Sequence, residues 1–188
     1  NMFTISQSCL LESKTLTSRR PLLSIVIPVY NEALIIESHL KLLCDYLTKL
    51  SDRYLWEVIV VDDGSVDDTT RLARSFAAKN EFIRVFSYTN NCGMGKALRT
   101  GFKLCHGDYI ICMDLDLTYA PECIETLISA KEKAKVVIAS PYMKGGKASG
   151  VPPIRRWLSV VGNKFLSLAT LGKFSTFTGM VRLYDGSM

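Results

Sequence analysis

Residues 22 to 50, "LLSIVIPVYNEALIIESHLKLLCDYLTKL", followed at residues 56 to 63 by "WEVIVVDD", decide the fold class. The first eight or nine residues are a β-branched apolar run, which is how a strand buried on both faces reads. After "YNE" the pattern changes: apolar residues recur at three- and four-residue spacing through Leu50, the mark of an amphipathic helix. "WEVIVVDD" is again strand-like. A strand, a helix and a strand in that order predict a β-α-β unit and a mainly parallel sheet.

The alternation continues downstream. "SVDDTTRLARSFAAK" reads as a helix with Ser65 or Asp67 able to cap it and acids in its first turn. "IRVFSY" and "DYIICMD" read as strands, separated by "GMGKALRTGFKLC", helical after its glycines. "PECIETLISAKEK" places proline in a helix's first turn. "KVVIAS" is a fifth strand, "GGKASGVPP" a loop, "IRRWLSVVGNKFLSLATL" a helix and "TGMVRLYD" a terminal strand. At 188 residues the chain fits one domain with a substantial core. We expect an arm over residues 1 to 21 and the α/β domain over 22 to 188, lacking a C-terminal segment.

Composition narrows the class. The chain is 48% hydrophobic and 22% charged, without low-complexity tracts, and its net charge of +5 suits an anionic ligand or membrane surface while being too mild for nucleic acid. Six cysteines without a C-x-x-C pair read as reduced thiols of a cytosolic protein. No run reaches the roughly 18 consecutive apolar residues of a spanning helix.

Polar residues collect where the strands end. Tyr30, Asn31 and Glu32 follow the first, Asp62, Asp63, Gly64 and Ser65 the second, and Asp114 and Asp116 the fourth. These are carboxyl ends, the edge at which open α/β sheets bind ligands. Were the fourth strand to continue, Asp114 and Asp116 would share a face about 7 Å apart and repel unless a cation sat between them. "NCGMGKALRTG" is not a dinucleotide fingerprint, because Gly93, Gly95 and Gly101 do not give G-x-G-x-x-G. Its glycines let backbone approach a ligand at a helix start, with Lys96 or Arg99 within reach of phosphate. His39, among aliphatic neighbours in a helix, and His106, at a helix end, read as structural.

The ordered set "SIVIPVYNE", "VIVVDDGSVDDT", "NCGMGKALRTGF", "GDYIICMDLDLTYAPE" and "SPYMKGG" resembles family 2 glycosyltransferases of the GT-A fold, and within them the polyprenyl-phosphate (dolichol-phosphate-type) sugar transferases. The resemblance covers about residues 22 to 183. It implies a Rossmann-like single domain and a nucleotide-sugar donor, UDP- or GDP-linked. Asp114 and Asp116 become the metal-binding D-x-D, holding Mn²⁺ or Mg²⁺ against the donor's diphosphate. Asp63 would accept a hydrogen bond from the base while Asp62 orders the loop, and Pro28, Tyr30 and Glu32 would wall the nucleotide pocket, with Gly95 and Lys96 beside it. Arg155 and Arg156 would meet the donor's or acceptor's phosphate. Three positions depart from the pattern: Met94 where relatives often carry a basic residue, Thr118 where glutamine is frequent, and Pro141 where arginine is common.

The reaction so implied is inverting transfer of the sugar to a polyprenyl phosphate, on the cytoplasmic side and peripheral to a membrane. "IRRWLSVVGNKFLSLATLGKF", residues 154 to 174, is the best candidate for headgroup contact. Transfer to a saccharide hydroxyl and non-catalytic nucleotide-sugar binding are the alternatives, and a nucleotidyltransferase would need a glycine-rich basic loop where "PVYNE" stands.

Overall fold

A computed structural model describes residues 19–131, 134–139 and 179–187. Strands β1 (Leu22–Val29), β2 (Leu55–Asp62), β3 (Ile83–Ser87), β4 (Tyr109–Cys112), β5 (Val136–Ile138) and β6 (Arg182–Asp185) alternate with helices α1 (Ile36–Lys49), α2 (Thr69–Ala77), α3 (Met94–Leu104) and α4 (Cys123–Ala130). They form one six-stranded sheet in the order β3-β2-β1-β4-β6-β5. β1 pairs in parallel with β2 and β4, and β2 with β3.

Both faces of the sheet are covered, which is why its strands are apolar at consecutive positions. On one face, Leu23, Ile25, Ile27 and Val29 of β1 and Val58 and Val60 of β2 pack with Ile36, Leu40, Leu43 and Leu47 of α1 and with α2 and α4. On the other, Val26, Ile59, Val61 and Cys112 meet Ala97, Leu98 and Phe102 of α3. That second contact needs Gly101: a β-carbon there would lie 2.3 Å from Val26 Cγ1. Helix and strand therefore touch backbone against side chain, leaving no room for alanine.

Three expectations change. β6 runs antiparallel to both neighbours and is inserted between β4 and β5, so the fifth strand in sequence is an edge strand rather than the next one along. α2 begins only at Thr69, without an acid in its first turn; Asp67 accepts the Thr69 amide at 3.0 Å, and Ser65 turns back to Asp62 instead. β4 stops at Cys112, so the alternation that would have aligned Asp114 with Asp116 is broken by a turn in which Leu117 takes a φ of 51°. The loop and helix expected over residues 145 to 171 lie outside the described residues.

The strand order reverses at β1. The chain winds outward from β1 through β2 to β3, then returns to place β4 on the other side of β1. A crevice must open where loops leave in opposite directions, above the carboxyl ends of β1 and β4.

Candidate active site

The loops after β1 and β2 are clamped to each other. Asn31, at a φ of 55° that asparagine tolerates, donates its amide to Ser65 Oγ at 2.9 Å and accepts the Val66 amide on Oδ1 at 2.9 Å. Glu32 donates its amide to Thr69 Oγ1 at 2.7 Å, and Ala33 to Asp67 Oδ2 at 3.2 Å. These bonds set the floor of the crevice and hold Tyr30 and Glu32 beside it.

Asp62 and Asp63, adjacent in sequence, do different work. Asp62 is wholly buried; it accepts from the Ser65 amide at 3.0 Å, from Ser65 Oγ and from Thr70 Oγ1, and so ties the β2–α2 loop together. We expect Asp62→Ala to cost about 3 kcal/mol, because a charge-assisted network is lost and its donors are stranded. Chemical denaturation checks this; a stability unchanged from the parent would contradict it. Asp63 faces the crevice instead. Its Oδ1 accepts the Cys92 amide at 2.9 Å, which anchors the β3–α3 loop. Gly64, at a φ of 76°, allows that loop to come so close that a β-carbon would sit 2.4 Å from the Asn90 carbonyl carbon.

The resulting cavity, about 310 Å³, is lined by Pro28, Tyr30, Glu32, Asp63, Asp114 and Asp116, together with Val29, Asn91, Gly93, Met94 and Leu115. Residues that the sequence placed at three strand ends thus share one pocket. Asn91, Gly93 and Met94 add a wall, in keeping with the expected approach of the glycine-containing segment to a ligand; Asn91 is the residue there that motif reading did not single out. α3 starts at this wall after Gly93, so the positive end of its dipole lies at the crevice. Gly95 and Lys96 do not line the pocket. Gly95 borders a neighbouring cavity with Leu98, Arg182 and Tyr184, and Lys96 Nζ sits 3.2 Å from Cys92 Sγ and 4.6 Å above the Tyr88 ring. Arg99 is exposed. Arg155, Arg156 and Pro141 lie outside the described residues.

Charge in the pocket is of one sign. Burial, then Asp116, then Glu32, push the Asp114 carboxyl up to about 6. Glu32 is raised by burial, Asp116 and Asp67, against a lowering by His39. Asp116 is exposed and accepts the Thr118 amide on Oδ1 at 2.9 Å, so its other oxygen is available.

Two acidic oxygen donors at a crevice fit a hard divalent cation. Among the described residues no three acidic, histidine or cysteine side chains come together as a protein-only cage. Mg²⁺-type sites are built that way, from one or two carboxylates with phosphate and water completing the shell. Asp114 and Asp116 would hold the ion.

Because folding raises the Asp114 carboxyl from its ordinary 3.8 to about 6, the folded state binds more protons than the unfolded chain between those values. Stability of the metal-free protein therefore falls as pH rises through that window. Asp114→Asn should flatten the fall and be more stable at pH 7, on the order of 1 kcal/mol after solvent screening. Melting curves between pH 4 and pH 7 without metal test this; parallel curves for the two proteins would contradict it.

The fold and the pocket define an open α/β domain with an acidic crevice at the switch point of its sheet. Among solved structures, the chain is similar to a mannosyltransferase from Pyrobaculum calidifontis in complex with GDP-Man and Mn²⁺, with a TM-score of 0.59 and 22% identity over 89% of this chain and 45% of that one. It is also similar to glucosyl-3-phosphoglycerate synthase from Mycobacterium tuberculosis, in complex with Mn²⁺, UDP and glucosyl-3-phosphoglycerate, with a TM-score of 0.64 and 24% identity over 89% of this chain and 57% of that one. The fold is GT-A.

Residues 24–187 match the model of glycosyl transferase family 2, and the chain belongs to that family. It is 36% identical over 137 residues to a dolichol-phosphate mannosyltransferase of Pyrococcus furiosus, covering 72% of this chain and 38% of the relative. To an undecaprenyl-phosphate 4-deoxy-4-formamido-L-arabinose transferase of Aeromonas hydrophila it is 34% identical over 164 residues, 87% of this chain and 48% of the relative. The chain spans less than half the length of these relatives.

Proposed function

We propose that this chain carries the donor-binding core of an inverting glycosyltransferase that moves a sugar from a UDP- or GDP-sugar to a polyprenyl phosphate. The observation that carries the reading is the meeting of Asp63, Asp114 and Asp116 in one crevice at the switch point of the sheet. Asp63, with Oδ1 engaged by the Cys92 amide, offers its second oxygen to a ring N–H, which uracil and guanine both have. Tyr30 lines the same pocket and would pack beside the base. Asp114 and Asp116 would hold a divalent ion, which would supply the positive charge that a departing phosphate needs. The D-x-D acids contribute by holding that charge where it is required, and the α3 terminus adds a weaker positive field.

The polyprenyl-phosphate acceptor is supported by the names of the relatives and by chemistry. A phosphate oxygen is already an anionic nucleophile near neutral pH, so this site needs no general base of its own. Such an acceptor places the domain, residues 22 to 188, at a membrane surface, on its cytoplasmic face where the donors are. Among the described residues no helix is long and apolar enough to cross a membrane.

Incubation with radiolabelled UDP- and GDP-sugars, Mn²⁺ and a short-chain polyprenyl phosphate tests the reading. Label is expected in the lipid fraction with one donor. Label that passes only to saccharides would overturn the acceptor assignment, and donor bound without any turnover would leave a nucleotide-sugar-binding module.

A further inference from the structure

We propose that His39 is a positioning residue: from α1 it fixes the backbone of the Asp114–Leu115–Asp116 turn and so holds both carboxylates ready for the cation. The inference rests on the reading of that turn as the metal site. Its geometric basis is a single contact, His39 Nδ1 to the Leu115 carbonyl oxygen at 2.9 Å, across 76 positions of sequence.

Few other bonds hold the turn, the Thr118 amide to Asp116 Oδ1 at 2.9 Å among them. The Met113 amide donates to Val26 O at 3.1 Å, the last bond that continues the β4 ladder. Within the turn, the Leu117 amide reaches Asp114 O only at 3.4 Å, a weak bond, and the left-handed Leu117 adds strain. Asp114 and Asp116 repel each other and both face Glu32, so like charge acts to open the segment whenever no cation is present. The Leu115 side chain is buried in the core beneath, and a carbonyl beside it must find a donor. His39 supplies one.

A carbonyl oxygen only accepts, so Nδ1 carries the proton and the tautomer of the ring is set by this bond. The sequence context agrees. His39 lies on the side of α1 between Ile36, Leu40 and Leu43, all buried, where leucine would pack better and favour the helix more. A half-buried imidazole at that position is accounted for by the hydrogen bond it makes. Since a metal site depends on how its ligands are oriented by what lies behind them, the loss of this bond is expected to weaken cation binding without touching either carboxylate.

Three substitutions isolate the atom involved. Asparagine places an amide N–H close to where histidine has Nδ1, glutamine places one near Nε2, and leucine keeps the volume with no donor. Binding of Mn²⁺ alone, followed by electron paramagnetic resonance, is expected to weaken about five- to tenfold in His39→Leu and His39→Gln. His39→Asn should remain near the parent. That rescue is what a purely space-filling role would not produce. Equal Mn²⁺ affinity in the parent and His39→Leu, or an His39→Asn protein as weak as His39→Gln, would overturn the proposal; should His39→Leu fail to fold, the asparagine and glutamine pair decides alone. Asp116→Asn, measured in parallel, separates the two levels. If it loses Mn²⁺ while His39→Leu does not, only the positioning role falls; if it too binds as the parent does, the metal site itself is misplaced.

Discussion

Asp116→Ala is expected to leave the domain folded and to lower Mn²⁺-dependent nucleotide-sugar affinity by more than about a hundredfold. Removing a mere outer partner of a metal ligand costs about 10- to 100-fold, and loss of a ligand should exceed that. The fold has little reason to suffer. Asp116 is exposed, its bond to the Thr118 amide lies at the surface, and its charge raises both Asp114 and Glu32. Deleting it therefore relieves repulsion in the metal-free protein. Calorimetry with and without Mn²⁺ provides the measurement. A folded variant that keeps its Mn²⁺-dependent affinity would remove Asp116 from the metal site.

Asp63→Ala is expected to weaken donor binding about ten- to hundredfold, the value of a hydrogen bond between a buried ring N–H and a carboxylate. Alanine also releases the Cys92 amide, so part of that loss would come through the loop bearing Asn91 and Gly93. Asp63→Asn separates the contributions: its side-chain oxygen can still accept from Cys92, while the amide that replaces the second oxygen presents hydrogens to the base N–H. A loss in Asp63→Asn as large as in Asp63→Ala assigns the effect to base recognition. Full affinity in Asp63→Asn would assign it to the loop, and weaker binding in a folded Asp62→Ala than in Asp63→Ala would mean that the two roles are exchanged.

The parts of the molecule that could be read in the sequence are those governed by local period and by strand ends. Apolar runs such as "IVVDD" announce strands covered on both faces, and the polar residues that follow them had to lie on one edge once the sheet was parallel. What could not be read depends on contacts between distant segments. β6 enters between β4 and β5 because its partners are chosen by tertiary packing, which leaves no trace in the pattern of "RLYD". The orientation of Lys96 follows from Tyr88 and Cys92, not from its place after two glycines. His39 looked structural because periodicity reports which face of α1 is apolar and says nothing of an acceptor in the turn after β4. The D-x-D itself was legible as a motif, whereas the turn at Leu117 that ends its alternation was not, since leucine seldom takes a positive φ.

In the proposed reading, one crevice binds a nucleotide-sugar through a cation held by Asp114 and Asp116. Thermal melting of the protein with UDP- and GDP-sugars, each with and without Mn²⁺, tests it most directly, because a ligand that binds only the folded state raises its melting temperature. A rise is expected with the sugars of one base, requiring Mn²⁺ and absent in Asp116→Ala. A rise of the same size without metal, or none with either base while Mn²⁺ is present, would contradict it.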